Sequence, residues 1–227
     1  MKLINIFMII IFDLDETLYQ EKNFVISGFF EVSDFLFEKL CLNKKKTIHY
    51  LLETFNKYGR KKIFDKLLKE KNVYNKSLLK KVISKYRAHK PNISLTAINH
   101  KFLKKLSNKY NLYLVTDGNK IVQRNKIKSL KISSLFKKIF ITHQYGTINS
   151  KPSIYCFKKI KELENCFWKE LIYIGDDPTK DFVNLNKKGV ITVRLMRGRF
   201  AKRKVSKKYD AKYKINNLSD FYNLSLI

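Results

Sequence analysis

The chain has 227 residues, 44% of them hydrophobic and 14% aromatic, enough apolar material for one sizeable core with a smaller satellite and far from the composition of a disordered chain. Its 48 basic and 19 acidic residues give a formal net charge of +29, a field that attracts polyanions and phosphorylated small molecules, but the lysines are spread along the whole chain and no nucleic-acid-binding motif accompanies them, so a solvated basic surface is expected and a specific nucleic-acid site is not. No apolar run approaches the roughly 20 residues of a membrane helix, and Cys41, Cys156 and Cys166 show neither CxxC nor Cys/His ligand spacing, which suits reduced thiols in a cytoplasm and excludes a disulfide framework.

Residues 1–12 read as a first strand and not as a cleaved leader, because no small-residue cleavage site follows; a start at Met8 would leave that strand intact. The run from Ile9 to Phe12 has no polar alternation, as expected of a strand buried on both faces of a parallel sheet. It stops at Asp13 and Asp15, which at a frayed strand end can lean into one cavity. Two acids there repel unless a cation or a shared proton relieves them. A short polar loop follows, and from Phe24 the pattern turns helical, with Phe24, Phe29, Phe30, Val32, Phe35, Leu36 and Leu40 returning to one face. Phe29, Phe30, Phe35 and Phe37 are expected in the core of this region, and further helices over 46–58, 60–70 and 77–90 complete it. Pro91 closes it.

After that come a helix over 94–110, a strand over 112–116, a helix over 120–130, a short helical turn within 133–138 and a strand over 139–142. A helix over 153–163, a strand over 171–175, a helix with Pro178 among its early residues and a strand over 190–195 continue the alternation. A basic loop over 197–208, an edge strand over 211–215 and a helix over 217–224 end the chain. Alternating strands and helices imply a parallel sheet with helices on both faces. Spacing adds an insertion: Asp13 to Thr116 spans 103 residues, Thr116 to Thr142 only 26 and Thr142 to Asp176 34. The later gaps fit single crossovers of about 30 residues, and the first must hold an extra domain.

Three further stretches share the character of the first: Leu114-Val115-Thr116-Asp117-Gly118, Ser150-Lys151-Pro152, and Ile172 to Asp181, which reads IYIGDDPTKD. With Ile9 to Leu18 they resemble, in order and over nearly the whole chain, the four motifs of the haloacid dehalogenase superfamily, most of whose members are phosphatases. The resemblance implies an α/β fold: a Rossmann-like three-layer core over 1–19 and 93–227, and an all-helical cap over 20–92 between the first and second motifs. In such a sheet the crevice lies beyond the carboxyl ends of the strands.

The family pattern implies Asp13 as the nucleophile that forms an aspartyl-phosphate and Asp15 as general acid and then base. The dehalogenating branch lacks that second aspartate. Thr116 would hold a phosphate oxygen, helped by the backbone N–H groups of Asp117 and Gly118, and Lys151 would neutralise nucleophile and phosphate. Mg²⁺ is implied as cofactor, held by Asp13, the backbone carbonyl of Asp15 and Asp176, with either Asp177 or Asp181 in support. Glu16 departs from the family's usual glycine. The wording around Leu18-Tyr19, 25–29 and 180–182 is similar to phosphatases associated with surface-polysaccharide genes, which points to a phosphosugar.

The expected activity is therefore Mg²⁺-dependent hydrolysis of a small phosphorylated metabolite, a sugar phosphate or nucleotide, by a cytoplasmic enzyme with no specific nucleic-acid or membrane partner. A phosphomutase would keep the same residues, and a polynucleotide phosphatase or nucleic-acid-binding protein is the reading the charge would favour. An inactive scaffold is disfavoured while all four motifs retain their chemistry. His49, His89 and His100 are expected in surface-like helical contexts and His143 in an incidental loop; Arg194, Arg197 and Arg199 are expected to be solvated. Asn119 and Arg124 are specificity candidates by position alone.

Overall fold

The computed structural model describes residues 8–227; the expected strand residues 1–7 lie outside the described residues. Gln20 closes the first segment of a sheet unit, which continues with Ser94–Gln123 and Leu130–Ile227; a helical unit comprises Glu21–Ile93 and Arg124–Ser129. The last of these segments had no counterpart in the sequence reading, where residues 120–130 formed a single helix of the core.

In the sheet unit, β1 (Ile9–Phe12), β2 (Leu112–Thr116), β3 (Lys138–Ile141), β4 (Leu171–Gly175), β5 (Ile191–Leu195) and β6 (Tyr213–Ile215) form one sheet in the order β3-β2-β1-β4-β5-β6. Every neighbouring pair is parallel. The central strands β1, β2 and β4 are buried at every position, whereas the edge strands carry the exposed Lys138 and Lys214, charges that discourage another chain from pairing there.

Side chains alternate between the two faces. Ile9, Ile11, Tyr113, Val115 and Tyr173 pack with Cys156, Phe157 and Ile160 of α7 (Tyr155–Glu164) and Leu185 of α8 (Val183–Lys188). On the other face Phe12 meets Phe102 of α5 (Ala97–Ser107) and Phe136 edge-on, each at 6.3 Å between ring centroids. The unit is thus a Rossmann-like α/β layering in which both faces of the sheet are dry. Such a sheet leaves its strand ends as the place where polar groups can gather.

The helical unit consists of α1 (Glu21–Leu40), α2 (Lys44–Tyr58), α3 (Ile63–Glu70) and α4 (Lys76–Ala88), joined by residues 124–129 of α6 (Lys120–Leu130). Asn43 and Asn75 start α2 and α4 by accepting the backbone N–H of Lys46 and Leu78 at 3.0 and 2.7 Å, the usual way of satisfying an orphan donor. Phe24, Phe29, Val32 and Phe35, three to five residues apart, form the buried stripe of α1, with Leu36 beside Phe35 widening it. Phe30 and Phe37, expected in this core, are instead 51% and 46% exposed, since one step along a helix turns a side chain by about 100° off the stripe. His89, expected at the surface, is buried against the Phe24 ring at 4.9 Å.

Three other expectations change in the C-terminal half. Pro178 lies in a turn, and the helix after β4 begins only at Val183. The final helix is a 3₁₀ segment, Leu218–Leu224. Arg194 is not solvated: it is 1% exposed on β5, paired with Asp210 at 2.9 Å, and donates to the carbonyls of Phe200 and Arg203. Its guanidinium anchors the basic loop that follows.

Candidate active site

At the carboxyl end of β1 the backbone N–H of Asp13 donates to the carbonyl of Ile174 at 2.9 Å, so the first residue after the strand is still held by β4. Its carboxylate meets Lys151 Nζ at 2.9 Å. The same ammonium group lies 2.8 Å from Asp181 Oδ1 and donates to the Tyr173 hydroxyl at 2.9 Å. Tyr173 in turn donates to Asp181 at 3.2 Å. Asp13, Lys151, Tyr173 and Asp181 are all buried, so three desolvated charged groups and one hydroxyl are held in one network.

Gly175 explains how Asp181 comes so close to the strand end. A Cβ at that glycine would lie 2.6 Å from Asp181 Oδ2. The same oxygen, Oδ2, accepts the Asp177 backbone N–H at 2.9 Å. Asp177 points its own carboxylate into the loop, accepting from the N–H and hydroxyl of Thr179 at 3.0 and 2.6 Å. The carboxylates brought together, with ligand atoms within 4.8 Å of one another, are therefore Asp13, Asp176 and Asp181. Asp177 shapes the turn that presents them.

This acidic trio is electrostatically costly. Burial, with the Asp181 charge adding to it and Lys151 opposing, raises the Asp13 pKa to about 6. Burial together with the Asp13 and Asp181 charges raises Asp176 to about 9. Lys151 moves well above its ordinary value: burial alone would lower it, but Asp13 and Asp181 outweigh that cost. Three hard oxygen donors with one ammonium group among them match the donor chemistry of Mg²⁺, which neutralises carboxylates that cannot all be paired otherwise.

Thr116 ends β2, 1% exposed, beside Asp117. Asp117 does not aim its side chain outward: it accepts from Thr142 Oγ1 at 2.8 Å and the Lys151 N–H at 3.1 Å, and pairs with Lys180 at 3.0 Å. Burial would raise its pKa, but Lys151 and Lys180 hold it below the ordinary carboxylate range. Gly118 follows with φ +132, a backbone conformation that side chains resist. Asn119 is the N-terminal cap of α6, accepting from the N–H groups of Ile121 and Val122 at 3.0 and 3.3 Å, which gives this specificity candidate a structural task.

The sequence profile of the haloacid dehalogenase-like hydrolases matches residues 10–194. The chain belongs to that family. Among curated relatives, the hydrolase is 26% identical over 223 residues to glyceraldehyde 3-phosphate phosphatase of Methanocaldococcus jannaschii, covering 95% of each chain. It is 31% identical over 105 residues, 46% of this chain and 43% of the other, to the protein of that name from Pyrococcus furiosus. Among solved structures, the magnesium-bound hydrolase YfnB of Bacillus subtilis superposes with a TM-score of 0.68 at 20% identity, over 97% of this chain and 99% of that one. A family phosphatase of Thermococcus onnurineus gives 0.59 at 20% identity, over 96% and 97%. The phosphatase-named relatives put this hydrolase with the phosphatases of the family.

Glu16, where the family pattern has glycine, adopts φ 57: the turn after Asp15 needs a left-handed residue, and glycine is the one that takes that conformation without strain. Sequence reasoning missed four partners of the expected residues. Tyr173 and Lys180 bind Asp181 and Asp117; Tyr19 donates to Asp15 Oδ1 at 2.6 Å; and Gln123 of α6 donates from Nε2 to Asp15 Oδ2 at 2.9 Å and to Thr116 Oγ1 at 2.6 Å. Tyr173, Tyr19 and Lys180 lie inside or beside the quoted motifs, yet none is marked by its type. Gln123 had no signal beyond being a polar residue in the first turns of the helix after β2.

Proposed function

We propose that this hydrolase is a Mg²⁺-dependent phosphatase of a small phosphorylated metabolite, working through an aspartyl-phosphate on Asp13. The observation that carries the reading is the buried ion pair of Asp13 with Lys151 at 2.9 Å, set beside Asp176 and Asp181 at the mouth of a dry sheet. A carboxylate in that place is ionised and aimed by a fixed cation, as a nucleophile toward phosphorus must be. In the first step an Asp13 oxygen bonds to phosphorus as the ester P–O bond breaks, and Asp15 gives its proton to the leaving alkoxide. In the second, Asp15 takes a proton from water as that water bonds to phosphorus and the Asp13–phosphorus bond breaks.

Asp13 and Asp176, with Asp181 in support, are the residues that would hold Mg²⁺, whose charge offsets repulsion between the nucleophile and the anionic ester. Thr116 and the N–H groups of Asp117 and Gly118 would bind the phosphate oxygens, and Lys151 would stabilise the charge that spreads over them in the transition state. Relatives named for glyceraldehyde 3-phosphate favour a triose phosphate or another sugar phosphate as substrate. The helical unit corresponds to the family's cap. Free Cys41, Cys156 and Cys166 suit a cytoplasmic enzyme, and among the described residues no helix is long and apolar enough to cross a membrane.

The test is phosphate release from a panel of sugar, triose and nucleotide phosphates with Mg²⁺, beside EDTA and Asp13→Asn. Turnover of a few small esters, abolished by both controls, is expected. Release only from oligonucleotide ends would overturn the small-metabolite reading, and turnover that survives both controls would overturn the mechanism.

A further inference from the structure

Asp15 and Thr116 leave different strands, 101 positions apart in the chain, and are expected to do different work on the two ends of the same phosphate ester. One side chain touches both. Gln123 is 1% exposed, and its amide nitrogen lies 2.9 Å from Asp15 Oδ2 and 2.6 Å from Thr116 Oγ1. The atom that faces both oxygens is the amide nitrogen, which only donates, so the carbonyl of the amide takes no part in either contact. An amide NH₂ has two hydrogens, one for each partner. The hydrogen given to Thr116 occupies a lone pair of its hydroxyl oxygen and leaves that hydroxyl's own proton to be donated elsewhere. The hydrogen given to Asp15 fixes one carboxylate oxygen, while the Tyr19 hydroxyl fixes the other at 2.6 Å. Tyr19 is 3% exposed and closes the turn back onto Asp15 as an isolated β-bridge.

We infer that Gln123 is the positioning residue that sets the proton-donating direction of Thr116 and the orientation of the acid Asp15 through a single amide, with Tyr19 as the second clamp on Asp15 alone. This rests on the phosphatase reading above. Gln123 needs its donor geometry for the purpose: Gln123→Met keeps the length and volume and loses both hydrogens. Tyr19→Phe keeps the ring and removes the hydroxyl that bonds Asp15.

The two variants separate the two roles. An acid that protonates the leaving group matters for an alkyl ester and little for p-nitrophenyl phosphate, whose leaving group departs as a stable anion. The quantity to compare is kcat/KM, which covers the chemistry up to leaving-group departure and not the dephosphorylation step common to both esters. Tyr19→Phe is expected to lower kcat/KM on an alkyl phosphate such as glycerol phosphate by about 10-fold or more, a fraction of the 10²–10⁴ that acid–base catalysis supplies, and to leave p-nitrophenyl phosphate within about 3-fold. Gln123→Met is expected to lower kcat/KM on both esters through Thr116, with a loss about 10-fold greater on the alkyl phosphate, and to weaken inhibition by inorganic phosphate, the readout of Thr116; Tyr19→Phe should leave that inhibition unchanged. Circular dichroism melts confirm that each variant is folded before it is assayed.

If a folded Gln123→Met loses activity equally on both esters and keeps its inhibition by phosphate, the inference is overturned and the phosphatase reading stands. If the wild type releases phosphate from neither ester and from no member of the sugar, triose and nucleotide phosphate panel, the phosphatase reading falls, and this inference falls with it.

Discussion

The sheet unit buries charge where its strands end: Asp13, Lys151, Asp176 and Asp181 are each at most 5% exposed and lie together. The helical unit buries rings. There Phe29 sits 5.9 to 6.4 Å from the rings of Phe55, Phe64 and Tyr86, and its exposed ion pairs, such as Arg60 with Glu21 at 2.8 Å, lie outside that cluster. Buried ions cost several kcal/mol each before pairing returns part of it, whereas packed rings stabilise by area and contact alone. The stability of the helical unit is therefore explained by its core, and the charged centre of the sheet unit is explained only by what it does.

That difference can be broken first at Asp13. Asp13→Asn is expected to lower kcat by about 10⁴-fold or more, as loss of a covalent nucleophile does, while the melting temperature stays the same or rises, because one of three crowded carboxylates has gone. Phe29→Ala attacks the other unit and should do the converse, costing about 3–5 kcal/mol in urea denaturation through the cavity it leaves. Gly175→Ala tests whether the close approach of Asp181 is needed: the new methyl must displace that carboxylate, and misplacement by about 1 Å costs on the order of 10² in kcat/KM. An unchanged rate would mean that Asp181 is not part of the working centre.

The smallest effect expected is on pH dependence in the helical unit. Burial lowers the pKa of His89 below its ordinary 6.5, a nearby Lys126 acting in the same sense and the Tyr86 carbonyl and Glu31 opposing. The folded state thus favours the neutral ring, and an unfolded chain binds a proton more readily. The contribution is complete above about pH 6.5 and is lost as pH falls from there toward the depressed folded value. Denaturation of wild type and His89→Gln between pH 7.5 and 5.5 should show a shallower loss in the variant.

What could be read from the sequence follows the same division. Strand ends are legible because an apolar run that stops at a polar residue marks both an element and its exit: Asp13, Thr116 and Asp176 each stand at or just past the end of such a run, and Lys151 follows the third strand at the family spacing. That the sheet is parallel was legible from the alternation of strands and helices, whereas the order of its strands was not. The supports of those residues were not. Gln123 meets Asp15 across 108 positions of chain, and only the folded sheet brings them together. In α1 the sequence showed a helix rich in phenylalanine, but which of Phe29, Phe30, Phe35 and Phe37 faces inward is set by where α2 and α4 pack. Arg194 looked like one more basic residue because its partner, Asp210, lies beyond the loop it anchors.

The central claim is that Asp13 becomes covalently phosphorylated, and the most direct measurement is to quench turnover with Mg²⁺ and substrate in acid, reduce with borohydride and map the chain by mass spectrometry. Reduction of an acyl-phosphate converts aspartate to homoserine. The account predicts homoserine at position 13, absent from Asp13→Asn and from a sample without substrate. Turnover with no modification at position 13, or with the label on another carboxylate, would contradict it.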